Sequence, residues 1–341
     1  MLFKQFNKKE RLYIYQFLID MIDSDLPIYD SLLTLVNKGE SLLGKTFVIK
    51  VKHILKDMAN SSNLASCFEG VIPANDLSIF HAADRAGDIK GGLIALIQLN
   101  EFRSKCISTL VSSLTFPLIM VIITFVVIAG YSVSVFPAFI PVVPVEKWPT
   151  STAMLYGTGL WIYNGGWLVL ILSFLSISVL FTILLNRFTG SVRELFSNVF
   201  PFSMYRQFVM TDFLVALYLL LHSGVPYIDA LNLIRENSNR YLKWHLTKVI
   251  SNLNAGLGYG EAMRTGLLDK VTVFDFAIYS ELPSFVNTLQ QISMKSQTNL
   301  LTTFNTMAGI LKNSATAFLG GVIIWVFIGL FALIDVLSEG I

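Results

Sequence analysis

Charged residues are scarce in this chain of 341 residues. Asp, Glu, Lys and Arg make up 14% of it, and they are absent from 106–145, 148–186 and 313–334. Each of these stretches contains an apolar run of about 20 residues, the length that crosses a bilayer as a helix. Because the mean hydropathy is also +0.62, the sequence predicts a polytopic membrane protein rather than a soluble one. The predicted spans are about 110–133, 165–185 and 315–337.

Cysteine and histidine are scarce as well. Cys67 and Cys106 are the two cysteines, and the four histidines have no ligand-like spacing to them. These counts argue against a disulfide framework and a zinc site, and we expect two buried or interfacial thiols. We expect no catalytic residues, no cofactor and no nucleic-acid partner, although a divalent cation between packed helices stays open. The formal net charge of +2 gives no case for nucleic acid.

No apolar run alternates with period two, the pattern of a half-buried strand. Apolar residues recur instead at three- and four-residue spacing, as at Tyr13, Phe17 and Met21. The order of these segments returns along the chain, because residues 25–32 align with 224–231 at an offset of 199. The sequence therefore predicts an all-α membrane protein with two homologous cytoplasmic helical-bundle domains and three transmembrane helices.

The basic residues predict orientation and domain boundaries. Residues 1–106 contain 13 Lys and Arg, 107–186 contain one and 187–313 contain 11, which places both repeats on the cytoplasmic side. The first segment lacks a signal-peptide pattern. The predicted segments are the first cytoplasmic domain (1–106), transmembrane helix 1 (107–135), a periplasmic connector (136–163), transmembrane helix 2 (164–186), the second cytoplasmic domain (187–313), and transmembrane helix 3 with a periplasmic C-terminus (314–341). Four prolines between 137 and 149 and four glycines between 157 and 166 predict an irregular connector.

Two recurrent local patterns carry the candidate site residues. Pro27 and Pro226 are predicted at the first position of a helix, with Asp30 and Asp229 in its first turn, where a carboxylate favours the helix dipole. The second pattern, residues 86–96, aligns with 279–289 at an offset of 193. It predicts a helix stop and a new start before each long helix. Its candidate residues are Gly87, Asp88, Gly91, Leu93, Glu281 and Pro283. Helix-start chemistry alone accounts for most of these residues.

A family resemblance rests on these patterns. The Pro-containing turn, the Ala-Gly-acidic segment at Ala86, the Phe116-Pro117 step and the order domain–span–span–domain–span resemble the type II secretion F family. Members of that family are inner-membrane platform proteins of type IV pili and type II secretion. The chain departs from the family pattern at Asp25, where Gly is usual, at Ser280 and Ser284, and in lacking a Glu-Pro before the last span.

The resemblance implies an assembly platform with no enzymatic activity. Its expected partners are a hexameric cytoplasmic secretion ATPase, the transmembrane helices of pilins or pseudopilins, other inner-membrane assembly proteins and further molecules of the same chain. We expect the candidate residues of both patterns to couple to these partners. The basic arm Lys4, Lys8, Lys9 and Arg11 is a further candidate contact, although the positive-inside rule alone explains much of it. A pilus machine is favoured over a secretion or DNA-uptake apparatus.

One motif supports a different class of function. Residues 39–46 match the G-x-x-x-x-G-K-[ST] phosphate-loop pattern. A working loop joins a buried strand to a helix, whereas the segment before Gly39 has a helical pattern. A membrane NTPase or transporter that uses this loop is therefore the alternative hypothesis, and we expect it to be wrong.

Overall fold

The computed structural model describes residues 5–59, 63–187, 190, 193, 199–280 and 282–339. Every regular element in these ranges is a helix, which confirms the all-α prediction. The chain divides into two compact units. The helical unit contains 1–105 and 185–300, and the apolar unit contains 106–184 and 301–341. Both predicted repeats thus contribute to one helical unit, and their existence as two separate domains stays a prediction.

The helices of the described residues fall into two groups along the chain. The first group is α1 (Lys8–Asp23), α2 (Ile28–Leu43), α3 (Lys45–Met58), α4 (Ala74–Ala86), α5 (Ile89–Ser134), α6 (Thr150–Trp161) and α7 (Trp167–Arg187). The second group is α8 (Phe202–His222), α9 (Tyr227–Glu236), α10 (Arg240–Asn254), α11 (Tyr259–Ala262), α12 (Lys270–Tyr279) and α13 (Phe285–Glu339). α5 and α13 each run without a break through a predicted domain boundary, at 106 and 313.

Each repeat has its own apolar core in the helical unit. In the first repeat α1, α3 and α4 bury residues such as Ile14, Val51 and Phe80. The core of the second repeat is built around Phe213 and Leu217 of α8. Cys67 and Cys106 are both buried, as expected.

The turn before α2 has the same backbone hydrogen bonds as the turn before α9. Leu26 N–H donates to the carbonyl of Met21, and Val225 N–H donates to that of Leu220, both at 3.0 Å. The two bonds before each of these also match at an offset of 199. In the first repeat the N–H groups of Ser24 and Asp25 donate to the carbonyls of Asp20 and Ile22. In the second repeat the N–H groups of Ser223 and Gly224 donate to the carbonyls of Leu219 and Leu221. This is the Schellman pattern of a helix C-terminus.

The apolar unit contains α6, most of α7 and parts of α5 and α13. The expectation of an irregular connector over 136–163 is wrong for its second half, because that half forms the helix α6. All four prolines precede this helix. Gly159 lies inside α6, where a Cβ would come within 2.0 Å of Ser132 Oγ in α5. This glycine therefore permits close helix packing and does not mark a loop. Thr152 donates to the carbonyl of Gly329 in α13 at 2.9 Å.

A one-turn π-helical segment joins α6 to α7. Gly165 has a φ of 107°, which breaks the regular helix there. Trp161, Tyr163 and Trp167 around this break are exposed. They flank the start of α7, and exposed Trp and Tyr side chains are enriched at membrane–water interfaces.

Within the described ranges, four helical segments are long and apolar enough to span a membrane. Three contain the predicted spans, and the fourth is α8. In the most apolar window of α8, 56% of the residues are buried, against 11%, 0% and 22% in the other three. The apolarity of α8 follows from its position in the core of the second repeat, a distinction that hydropathy alone does not make.

Candidate functional site

The two repeats meet where α4 and α5 of the first repeat contact α8 and α9 of the second. Arg103 in α5 donates from Nε and Nη2 to the two carboxylate oxygens of Asp212 in α8, at 2.7 and 2.9 Å. This is a bidentate ion pair, the geometry in which guanidinium and carboxylate interact most strongly. It joins the repeats across a partly buried surface.

A buried carboxylate organises the adjoining part of the first repeat. Asp76 in α4 is 3% exposed, and its Oδ2 accepts a hydrogen bond of 2.9 Å from the hydroxyl of Tyr15. Arg11 Nε lies 3.2 Å from the same oxygen, and Asn100 Nδ2 lies 3.5 Å from it. Burial raises the pKa of Tyr15, and the neighbouring charge of Asp76 raises it further. The network fixes α1, α4 and α5 to one another.

A polar groove with a volume of about 570 Å³ opens beside this contact. The C-terminal end of α4 forms one wall with Arg85. The turn before α9 and the exposed face of α9 form the other, with Asp229 and Glu236. We call it the junction groove, and its lining residues are Ala82, Arg85, Ala86, Gly224, Val225, Pro226, Asp229, Asn232, Leu233 and Glu236. One cationic and two anionic side chains on an open surface suit a polar protein partner better than a small apolar ligand.

The junction groove brings parts of both sequence patterns together. Pro226 and Asp229 line it, and Ala86 on the opposite wall immediately precedes Gly87 and Asp88. The corresponding residues of the first repeat, Pro27 and Asp30, do not line it. The prediction that these residues couple to partners is not tested by this arrangement and stays a prediction.

The Gly87-Asp88 pair is a helix stop and a helix start, as predicted. Gly87 ends α4 with a φ of 77°, and the Asp88 carboxylate accepts the backbone N–H of Gly91 at 2.8 Å. A Cβ at Gly91 would lie 2.0 Å from that carboxylate, so glycine keeps the cap in place. Leu93 is fully buried in the core of the first repeat. These residues have structural roles that are independent of any partner.

The prolines of the two turns are displaced by one position from the prediction. Pro27 and Pro226 are the N-cap residues, and α2 and α9 begin one residue later. Asp30 and Asp229 lie in the first helical turn, as predicted. Pro283 is exposed between α12 and α13, and Glu281 lies outside the described residues.

The basic arm is divided between surface and interior. Lys9 is exposed and Lys8 is half-buried, whereas the guanidinium of Arg11 is committed to the Asp76 network. Lys4 lies outside the described residues. Of the arm, Lys8 and Lys9 are therefore the described residues best placed to meet a partner.

The phosphate-loop pattern has the wrong structure for a phosphate loop. Gly39 lies inside α2, Gly44 separates two helices with a φ of 84°, and Lys45 begins α3. A helix stands where the nucleotide-binding motif requires a strand. Within the part of the chain that the structure describes, no cluster of His, Cys, Asp and Glu has the grouping of a metal site.

Sequence reasoning missed the residues of the repeat contact. Asp212 is the one acidic residue of the largely apolar α8, which is a signal that a cation lies opposite it. The identity of that cation, Arg103, depends on packing between elements 109 residues apart in sequence. Neither Arg85 nor Asp76 lies in a sequence pattern that indicates its role in the site.

The comparisons support the predicted family. No family model matches the chain. It is, however, 34% identical over 344 aligned positions to the toxin coregulated pilus biosynthesis protein E of Vibrio cholerae serotype O1, and the alignment covers 99% of this chain and 100% of that protein. Identity of this extent, across both repeats and all the apolar stretches, establishes common descent of the whole chain. This chain belongs to the type II secretion F family of membrane platform proteins.

Proposed function

We propose that this protein is the inner-membrane platform of a type IV pilus assembly machine. It would couple the cycle of a cytoplasmic secretion ATPase to the extraction of pilin subunits from the bilayer and their polymerisation. The observation that carries the proposal is the end-to-end relationship to a protein named for pilus biosynthesis. The apolar helices agree with a membrane-embedded role.

The distribution of lysine and arginine supports the orientation. With 24 of 25 basic residues in the two repeats (13 and 11, against one in 107–186), the positive-inside rule favours a cytoplasmic helical unit and a periplasmic C-terminus. α5 and α13 each contain residues of both units. A continuous helix is stiff over its length, which suits the transfer of force between a cytoplasmic motor and a membrane segment.

The junction groove is the surface that we assign to a cytoplasmic partner. Its lining comes from both repeats, so a partner bound there would sense their arrangement. Asp229 and Glu236 offer two carboxylates to basic side chains of such a partner, and a charged rim of this kind favours orientation and fast association. Pilin helices would meet the apolar unit. Catalysis is not part of this proposal, and the helix–glycine–helix structure of residues 39–46 argues against the nucleotide-binding alternative.

Complementation of a deletion strain tests the proposal. A tagged wild-type chain is expected to restore surface pili and to copurify in mild detergent with a secretion-type ATPase and pilin-like proteins. The double variant Asp229→Ala/Glu236→Ala is expected to reach the membrane at normal levels but to lose the ATPase. Its matched control is Glu69→Ala/Glu261→Ala, two exposed carboxylates outside the groove, which should behave as wild type.

Two results would overturn the proposal. One is normal piliation in the deletion strain. The other is stoichiometric nucleotide binding by the purified chain without pilus partners, which would favour the membrane NTPase. Retained ATPase binding by the Asp229→Ala/Glu236→Ala variant would remove the junction groove from the proposal while leaving the platform role intact.

A further inference from the structure

Each repeat has an apolar groove at the same place, between its first helix and the helices after the turn. We call the one in the first repeat the first groove. It is lined by Tyr13, Phe17, Met21, Leu26, Ser31, Thr34, Leu35, Lys38, Gly39 and Leu43. Eight of these ten positions have counterparts, 199 residues later, that line a cavity in the second repeat, which we call the second groove. The counterparts are Asp212, Ala216, Leu220, Leu233, Ile234, Asn237, Ser238 and Leu242.

The second groove is filled by the first repeat. Ile79 of α4, together with Leu99 and Arg103 of α5, completes its lining, and Arg103 forms the ion pair with Asp212. The remaining cavity volume is about 50 Å³. Among the described residues the first groove has no such cover, since its lining residues all come from α1, α2 and the turn between them. Its volume is about 390 Å³.

The exposure of equivalent side chains shows the same difference. Val225 in the turn of the second repeat is 5% exposed, whereas its counterpart Leu26 is 49% exposed. Tyr29 and Leu33, which continue along α2, are 45% and 40% exposed. A contiguous surface of large apolar side chains is therefore left open in the first repeat where the second repeat is covered, and such patches mark interaction sites.

The second repeat carries an unpartnered apolar helix face. Helix α12 is the counterpart of α4 at an offset of 193, and it exposes Val271, Phe274 and Ile278 to 59%, 63% and 46%. Their spacing of three and four residues places them on one stripe. The equivalent positions of α4 are Ser78, His81 and Arg85, which are polar. Around the helix axis, this stripe lies about a quarter turn away from the positions of α12 that are equivalent to the groove-contacting face of α4.

We propose that the first groove receives α12 of a second molecule of this chain. The proposed contact pairs the equivalent elements of those that meet within one molecule, where α4 covers the second groove. α12 would use a different face, because Thr272, the counterpart of Ile79, is buried in its own repeat. Charge would orient the contact, because Lys38 is the cationic residue of the first groove and the apolar stripe of α12 is flanked by Asp275 on one side and Lys270 on the other. The two surfaces are different, so the contact is head-to-tail and generates a ring or an open array.

Cross-linking between two differently tagged variants tests the contact directly. One carries Leu26→Cys and the other Phe274→Cys, and the native Cys67 and Cys106 are buried. After coexpression in membranes and treatment with a short bismaleimide, the mixed-tag product is expected to exceed either same-tag product several-fold. Same-tag Leu26→Cys products in excess would indicate a two-fold symmetric contact and would overturn the head-to-tail assignment. No product above that of an Ile49→Cys control would overturn the contact itself.

A matched pair of variants tests the energetics in detergent-purified protein. Leu26 and Ile49 are both aliphatic and are 49% and 51% exposed in the first repeat, but only Leu26 lines the first groove. Leu26→Glu is expected to weaken self-association by roughly tenfold or more, since interface anchors at an apolar centre carry most of the binding energy. Ile49→Glu is expected to change it little. Equal behaviour of the two variants would overturn the proposal.

The same variants distinguish a second molecule from a lipid surface as the occupant. The first groove could instead contact the bilayer through its exposed apolar side chains. In that case Leu26→Glu will lower the affinity of the full-length, detergent-purified chain for added anionic vesicles and will leave its self-association unchanged. That result would overturn the proposal. The inference is independent of the machine that the chain serves, so its failure leaves the platform role unaffected, and a failure of the platform role leaves the cross-linking result interpretable.

Discussion

The two repeats share their turns but not their surroundings. Before α2 and before α9 the backbone makes the same three hydrogen bonds, and the left-handed residue at the centre is Asp25 in one repeat and Gly224 in the other. The groove beside the turn is filled by α4 and α5 in the second repeat and open in the first. Local sequence therefore fixes the turn, whereas the neighbour of each repeat decides which of its side chains are buried.

The largest effect is expected from two aspartates at equivalent positions. Asp76 is a buried hub in the first repeat, whereas Asp269, 193 residues later, is an exposed N-cap that accepts the N–H of Thr272. Asp76→Ala leaves Arg11 without its buried carboxylate and is expected to cost about 3 kcal/mol. Asp269→Ala removes a cap worth about 1 kcal/mol. Thermal unfolding in detergent checks both, and equal losses would mean that Asp76 is not a hub.

The contact between the repeats provides the second test. Asp212→Ala leaves Arg103 unpaired and is expected to cost about 2 kcal/mol, the typical effect of losing hydrogen bonds to a partly buried charge. The control is Asp23→Ala, which removes the exposed ion pair with Lys90 and should change stability by less than about 1 kcal/mol. Apparent melting temperatures of the two variants measure the difference. A larger shift for Asp23→Ala would contradict the role assigned to the junction.

Acidification is expected to affect the second repeat more than the first. The pKa of His245 is lowered to about 3, mainly by burial and also by the nearby charge of Lys248. The counterpart in the first repeat is the exposed Thr46. Since the folded pKa lies below the ordinary value of 6.5, the unfolded chain binds the extra proton, and stability is lost as the pH falls below about 6.5. Between pH 6.5 and 5 the loss is about 1 to 2 kcal/mol.

Hydrogen exchange measures this difference between repeats. Amides of α10 are expected to lose protection relative to those of α3 when the pH is lowered to 5, after correction for intrinsic exchange. His245→Gln should remove most of the additional loss, because glutamine does not titrate. An unchanged pH dependence in this variant would assign the effect to other groups.

The smallest effect is expected from exchanging the left-handed residues of the two turns. Asp25 has a φ of 52°, a conformation that costs non-glycine residues about 1 kcal/mol, somewhat less for Asp. Asp25→Gly is therefore expected to stabilise the chain by less than about 1 kcal/mol, and Gly224→Asp to destabilise it by a similar amount. Melting temperatures of the two single variants check the opposite signs. Destabilisation by Asp25→Gly would point to a role of the carboxylate that the turn geometry does not require.

The sequence was sufficient for features that depend on neighbouring residues. The helices, the two turns and the stop and start at Gly87-Asp88 follow from local spacing and from the conformational preferences of Gly and Pro. The predicted spans lie within long apolar helices for the same reason. Helix α6 was missed because Gly157 and Gly159 weigh against a helix locally, whereas Gly159 is required by the close approach of Ser132.

Features that depend on packing between distant segments could not be predicted. Nothing near Arg103 or Asp212 specifies that they pair, because the contact depends on how α5 meets α8. Likewise, Leu26 and Val225 occupy equivalent positions in similar sequences, and only the packing of α4 makes one buried and the other exposed. The junction groove could not be predicted for the same reason, since its two walls come from different repeats.

The break at Gly165 sets a length for the protein in the membrane. α7 begins there and has 21 residues, which extend about 31 Å at 1.5 Å per residue, close to the hydrocarbon thickness of a typical bilayer. α5 and α13, with 46 and 55 residues, have length to spare. α7 is therefore the shortest of these three helices and the one whose length limits the bilayer thickness that the protein can span. A thicker bilayer is expected to strain α7 before α5 and α13.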